Sequence, residues 1–146
     1  MANRGRRAPA PLDLTFSAEP VRLAAVRRAL RTWLACCQIG GEDAWSVLIA
    51  ADEACANAIE HGHRGRAGGS VRLHASTIRD GVHLTVSDNG RWQPVTSAPD
   101  NHRGRGLELM QGLMSQVHVE TGDAGTVVDM HAYFAGPGAR RPVSAV

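Results

Sequence analysis

Residues 71–88 read VRLHASTIRDGVHLTVSD. Two runs rich in β-branched and apolar residues, 71–78 and 82–87, flank Asp80-Gly81, a pattern that predicts two antiparallel strands joined by a tight turn at that dipeptide. In the second run Val82, Leu84 and Val86 share one side, and the strand parity carries Asp88 onto the same apolar side. A carboxylate entering a core face needs a partner there.

Working outward, Leu12, Leu14 and Phe16 alternate with Asp13 and Thr15 as in a half-buried strand, and Pro20 stands where a first helical residue is favoured, so a helix is expected to about Gln38. Gly40-Gly41 interrupts it. Glu42-Asp43 then places acids in the first turn of a second helix with apolar positions Trp45, Leu48, Ile49, Ala56 and Ile59, ending near Gly62 before the loop HRGRAGG. Beyond Asp88 the chain gathers Asn, Gly, Pro, Ser and Asp to about Arg103 and reads as a mobile loop. A helix is expected from about Gly104 to Ser115, with Leu107, Met110, Leu113 and Met114 at helical spacing. Residues 117–120 and 126–134 form a second hairpin across GDAG, in which Thr126 lies on the side of Val128, Met130, Ala132 and Phe134. The order β, α, α, β, β, loop, α, β, β has strands in adjacent pairs. It predicts an α/β (α+β) two-layer sandwich, with a mixed, mainly antiparallel sheet and helices on one face.

The chain has 146 residues, enough for one compact domain, expected over residues 12–135 between flexible tails at 1–11 and 136–146. All sixteen positive residues are Arg; with no Lys there is no P-loop, no strand lysine of a eukaryotic-type protein kinase and no Schiff-base amine. Five arginines sit in the two tails and all fourteen acids lie between them, against eleven arginines, so the body is mildly acidic and carries no clustered nucleic-acid footprint. Cys36, Cys37 and Cys55 form no C-x-x-C pair and read as small buried hydrophobes, and the Met and Trp residues read as core. No run approaches the roughly twenty apolar residues that span a bilayer and no secretory signal opens the chain, so a cytoplasmic protein without a membrane partner is expected.

Several residue groups carry chemistry. On the second helix Glu53, Asn57 and Glu60 share a stripe, because at about 100° per residue Asn57 lies about 40° one way from Glu53 and Glu60 about 20° the other. Such oxygens suit a hard cation, and a carboxylate one turn from a metal ligand suits a general base, although the same stripe is compatible with a solvated helix face. Asp88-Asn89-Gly90 fits either a plain turn or an acceptor for a planar amine, and inward Thr126 wants a partner. Arg103-Gly104-Arg105-Gly106-Leu107 enters a helix, where free backbone N–H groups and the helix dipole favour anions and Gly permits close approach of phosphate. His61 and His63 read as a helix C-terminal feature.

Taken in order, these segments resemble the GHKL ATP-binding superfamily. Glu53-Ala-Cys-Ala-Asn57-Ala-Ile-Glu60-His61 is similar to its N box, Asp88-Asn89-Gly90 to its first glycine box, 103–109 to its second, and Gly125-Thr126 to its final Gly-Thr. The short chain and the Glu-x-x-x-Asn spelling resemble the bacterial anti-sigma-factor serine/threonine kinases of stress response and sporulation. The resemblance implies Glu53 as general base, Asn57 as Mg2+ ligand, and Asp88 with Gly90 and Thr126 at the adenine. It also implies Arg103, Gly104, Arg105, Gly106 and Leu107 around the phosphates of ATP. It further implies a homodimer whose partners are an anti-sigma-factor antagonist, as substrate, and a sigma factor. The alternative is a non-catalytic nucleotide-binding module that regulates its partner by capture alone. Where the superfamily often has a second Gly in its first glycine box, this chain has Trp92.

Overall fold

The computed structural model describes residues 8–63, 69–89 and 104–134. Strand β1 (Leu12–Ser17) leads through a single 3-10 turn at Pro20–Arg22 into helix α1 (Leu23–Cys36), followed by α2 (Gly41–His63), β2 (Ser70–Ile78), β3 (Gly81–Asp88), α3 (Gly104–Leu113), β4 (Gln116–Gly122) and β5 (Gly125–Tyr133). The five strands form one sheet in the order β1-β2-β3-β5-β4. Every pairing among them is antiparallel, so the mixed sheet expected from sequence is purely antiparallel here. The physical reason is where β5 sits: β3 and β4, joined through α3, run the same way, but β5 turns back from β4 and inserts between them, so no parallel neighbours are left to pair.

One face of the sheet is the core face. Val71, Leu73, Ala75, Val82, Leu84, Val86 and Met130 are fully buried there against Leu30 and Leu34 of α1, Met110 of α3 and a stripe of α2. That stripe is built from small residues: Val47, Ala50, Ala51, Ala54, Cys55 and Ala58, with Ile59 beside them. The expectation that Trp45 packs inward is overturned; Trp45 is 61% exposed, and Leu48, Ile49 and Ala56 are only half-buried. A turn-by-turn count of apolar residues favours the large ones, whereas the surface of α2 that meets the sheet is the one the alanines cover. Trp33, by contrast, is buried and its indole N–H donates to the Ala10 carbonyl at 2.8 Å. Cys36 is exposed and Cys37 half-buried, so of the three thiols only Cys55 is a core residue.

The ends of the elements also depart from expectation. Gln38 adopts a left-handed conformation (φ 61°) and Ile39 N–H donates to the Leu34 carbonyl, closing α1 two residues before the anticipated end. In the first hairpin Ile78 pairs with Gly81, so the two turn residues are Arg79 and Asp80 rather than Asp80 and Gly81. Asp80 takes the left-handed conformation, which a short polar side chain tolerates. Gly81 is already in the strand, where a Cβ would collide with the Ala132 carbonyl of β5. α3 ends at Leu113, before the expected Ser115; on it Leu107 and Leu109 are exposed while Gly106 and Met110 face inward, with Met114 buried just past its end. Among the described residues no helix is long and apolar enough to cross a membrane.

Candidate functional site

Helix α2 spans the core face, and Glu53 and Asn57, one turn apart and both half-buried, point toward α3. The proof of proximity is Gly106: a Cβ there would lie 3.1 Å from Glu53 Oε2 and 3.2 Å from Asn57 Nδ2. The third residue of α3 is thus held against both functional groups. The N–H groups of that first helical turn have no carbonyl of their own helix to bond. A carboxylate, an amide and a positively polarised helix start therefore meet in one place.

The end of the sheet supplies a second group. Asp88, the last residue of β3, is 8% exposed and pairs in register with Thr126 of β5, which is 3% exposed. The Thr126 hydroxyl is buried without a hydrogen-bond partner among the described residues. Burying such a hydroxyl unsatisfied costs about 1–3 kcal/mol, and a bound polar ligand would offset it. The neighbouring Gly125 has φ 133°, and a Cβ on it would overlap the Asp88 carbonyl. The Gly-Thr pair thereby lets β5 press directly on the backbone that carries Asp88. Asn89 accepts the Ser70 N–H on its Oδ1 at 2.9 Å and ties the exit of β3 to the entrance of β2.

Of the residues expected to act, the structure thus gathers Glu53, Asn57 and Gly106 in one contact and Asp88 with Thr126 in another. Gly104 and Arg105 open α3, while Leu107 is 40% exposed on its outer side, away from the Glu53–Asn57 contact made by Gly106. Gly90, Arg103 and Trp92 lie outside the described residues, as does most of the loop expected between Asp88 and Arg103. Glu60, on the same stripe as Glu53, is half-buried. Cys55, on the core side of α2, is no nucleophile: burial, reinforced by the nearby Asp52 carboxylate, pushes its thiol up to about 12. Asp52 itself is bound by Arg27 of α1 at 2.7 Å, which clamps the two helices beside the site.

The donor set fits a nucleotide. An acceptor-only carboxylate and an orphaned hydroxyl at a sheet end suit an amine-bearing base, and glycine at a helix start suits phosphate. Among the described residues no group of three or more His, Cys, Asp or Glu is placed to hold a metal, so a divalent cation here would rest on the Asn57 oxygen and on oxygens a ligand brings.

Comparison with known proteins agrees with that geometry. Residues 16–132 match the histidine kinase-like ATPase domain family. The chain is 27% identical over 139 residues to the serine-protein kinase RsbW of Bacillus velezensis, covering 86% of each. It is also 27% identical over 135 residues to the anti-sigma F factor of Bacillus thuringiensis, covering 85% of this chain and 92% of that one. The solved structure of the RsbU and RsbW domains of a Mycobacterium tuberculosis protein superposes with a TM-score of 0.71 at 26% identity, over 86% of this chain and 32% of that longer one. With that match spanning most of its length, the chain belongs to the histidine kinase-like ATPase domain family.

Proposed function

We propose that the chain is an anti-sigma-factor serine/threonine-protein kinase. It transfers phosphate from Mg-ATP to a hydroxyl of an anti-sigma-factor antagonist and, as a homodimer in the cytoplasm, holds a sigma factor. The observation that carries this reading is the contact of Glu53 and Asn57 with Gly106, which sets a base and an amide against the helix start where phosphate would lie. The similarity to proteins named serine-protein kinase and anti-sigma F factor supports it.

In this reading Asp88 accepts from the adenine amine and Thr126 gains the partner its hydroxyl lacks, with Gly90 giving room beside them. Gly104 and Gly106 offer backbone N–H groups to the phosphates, Arg103 and Arg105 add guanidinium donors, and Leu107 completes the first turn of the helix that presents them. Glu53 takes the proton of the acceptor hydroxyl as its oxygen bonds the γ-phosphorus, and the bond from that phosphorus to the bridging oxygen breaks, leaving ADP. Asn57 would hold Mg2+, which neutralises charge on the phosphates. Positioning and charge neutralisation are most of what phosphoryl transfer asks of a protein.

The test begins with thermal unfolding with and without ATP, in Mg2+ and in chelator. Ligand at about one hundred times its Kd adds about 2.7 kcal/mol, roughly 5–10 °C in a domain this size. Purified antagonist proteins are then incubated with radiolabelled ATP. Transfer that is lost in Glu53→Ala while ATP still shifts the melting point is the expected result. ATP binding without transfer to any antagonist would leave the capture-only module as the function.

A further inference from the structure

The neighbours of α2 define which part of its surface is free. Taking Glu53 as zero and about 100° per residue, the buried positions 47, 50, 51, 54, 55, 58 and 59 fill an arc from roughly 60° to 240°. Gly106 of α3 meets the helix at Glu53 and Asn57, between about 0° and 40°. On the other flank Leu23, Val26 and Leu30 of α1 line a groove with Leu48, and Arg27 binds Asp52, at roughly 220° to 260°. Among the described residues, the arc that remains, roughly 280° to 360°, carries Trp45, Ala56, Ile49 and Glu42 and ends at Glu53. Trp45 is the exposed large apolar residue on it, at 61%, with Ile49 one turn along and Glu53 one turn further.

We infer that this strip of α2, from Trp45 through Ile49 to Glu53, is the docking surface for the hydroxyl-bearing protein substrate; the inference rests on the kinase reading above. An acceptor hydroxyl must reach Glu53, and among the described residues the strip of α2 that adjoins Glu53 lies between the contacts of α1 and α3. A standard protein interface covers about 800 Å² on each partner, a disc of roughly 16 Å radius. Trp45 lies eight residues from Glu53, about 12 Å along the helix axis, and falls within that disc. A partner delivering its hydroxyl to Glu53 therefore buries Trp45, and exposed Trp is the residue type that most often anchors such contacts. Glu42, exposed in the first turn of α2, adds acid to the strip. The matching surface is an apolar pocket with basic residues around a Ser or Thr.

The experiment uses the full chain and the antagonist that wild type phosphorylates in the radiolabelled-ATP screen. Trp45→Ala should raise KM for that acceptor on the order of tenfold or more with kcat within about twofold. Ile49→Ala should move KM the same way, Trp45→Phe should recover most of the loss, and the melting-point shift by ATP should stay at the wild-type value. Tyr133→Ala, on the opposite face of the sheet, should change none of these. An unchanged KM in Trp45→Ala, or an equal rise in Tyr133→Ala, overturns the docking strip and leaves the kinase reading standing. ATP-bound wild type that phosphorylates no antagonist overturns the kinase reading, and the strip with it.

Discussion

Gly106→Ala separates stability from activity at one atom. The added Cβ would sit 3.1 Å from Glu53 Oε2 and 3.2 Å from Asn57 Nδ2, a few tenths of an ångström inside ordinary contact. Both atoms end flexible side chains, so they yield by a rotamer adjustment that costs about 0.5–1.5 kcal/mol. Against this, Ala is favoured over Gly in a helix by about 0.5–1 kcal/mol. The two effects nearly cancel, and the denaturant midpoint should stay within about 1 kcal/mol of wild type. The groups pushed aside are the proposed base and the amide whose oxygen would hold the metal, however; a full ångström of misplacement costs about a hundredfold in rate, and a shift of a few tenths should cost a measurable part of that. Urea unfolding gives the first quantity and radiolabelled phosphate transfer the second. A variant that is as active as wild type would refute the claim that this close approach builds the site. One that unfolds several kcal/mol earlier would refute the claim that the contact is soft.

Thr126→Val, a near isostere, removes a buried hydroxyl that has no partner; the ligand-free domain should be unchanged or up to about 1 kcal/mol more stable, while the melting-point gain from ATP shrinks. Gly125→Ala places a Cβ in the Asp88 carbonyl at φ 133° and should destabilise the domain by about 2 kcal/mol or more, measured by chemical denaturation. On the outer sheet face burial raises the Asp129 carboxyl, but hydrogen bonds from His83 and Thr85 outweigh it and hold the group below the ordinary carboxylate range. Its stabilising contribution is therefore present above the unfolded pKa, near 4, and lost as pH falls through the lower folded value. Asp129→Asn should flatten the fall in melting temperature below pH 4 and lower stability at pH 7.

The inward turn of Asp88 and Thr126 was legible because strand parity has period two, and each lies beyond an unbroken run of apolar alternation. That the two stand directly opposite each other was not legible, since register depends on a pairing between hairpins rather than within one. The Glu53–Asn57 stripe followed from helical spacing, yet its contact with Gly106 is a property of how α2 and α3 pack, and no periodicity encodes it. Trp45 misled for a related reason. Amphipathicity weighs residue size and apolarity, whereas the face of α2 that enters the core is the one covered by small residues.

That row of alanines is also a spacer of fixed thickness. Ala50, Ala51, Ala54 and Ala58 set the height at which α2 rides over the sheet, and Glu53 and Asn57 stand on the same rod. Any larger side chain in the row would lift the rod as a whole, because close-packed interiors transmit added volume rather than absorb it. The alignment of base and amide with α3 is thus held by residues that never touch a ligand, and a side chain much larger than a methyl group in that row should disturb it.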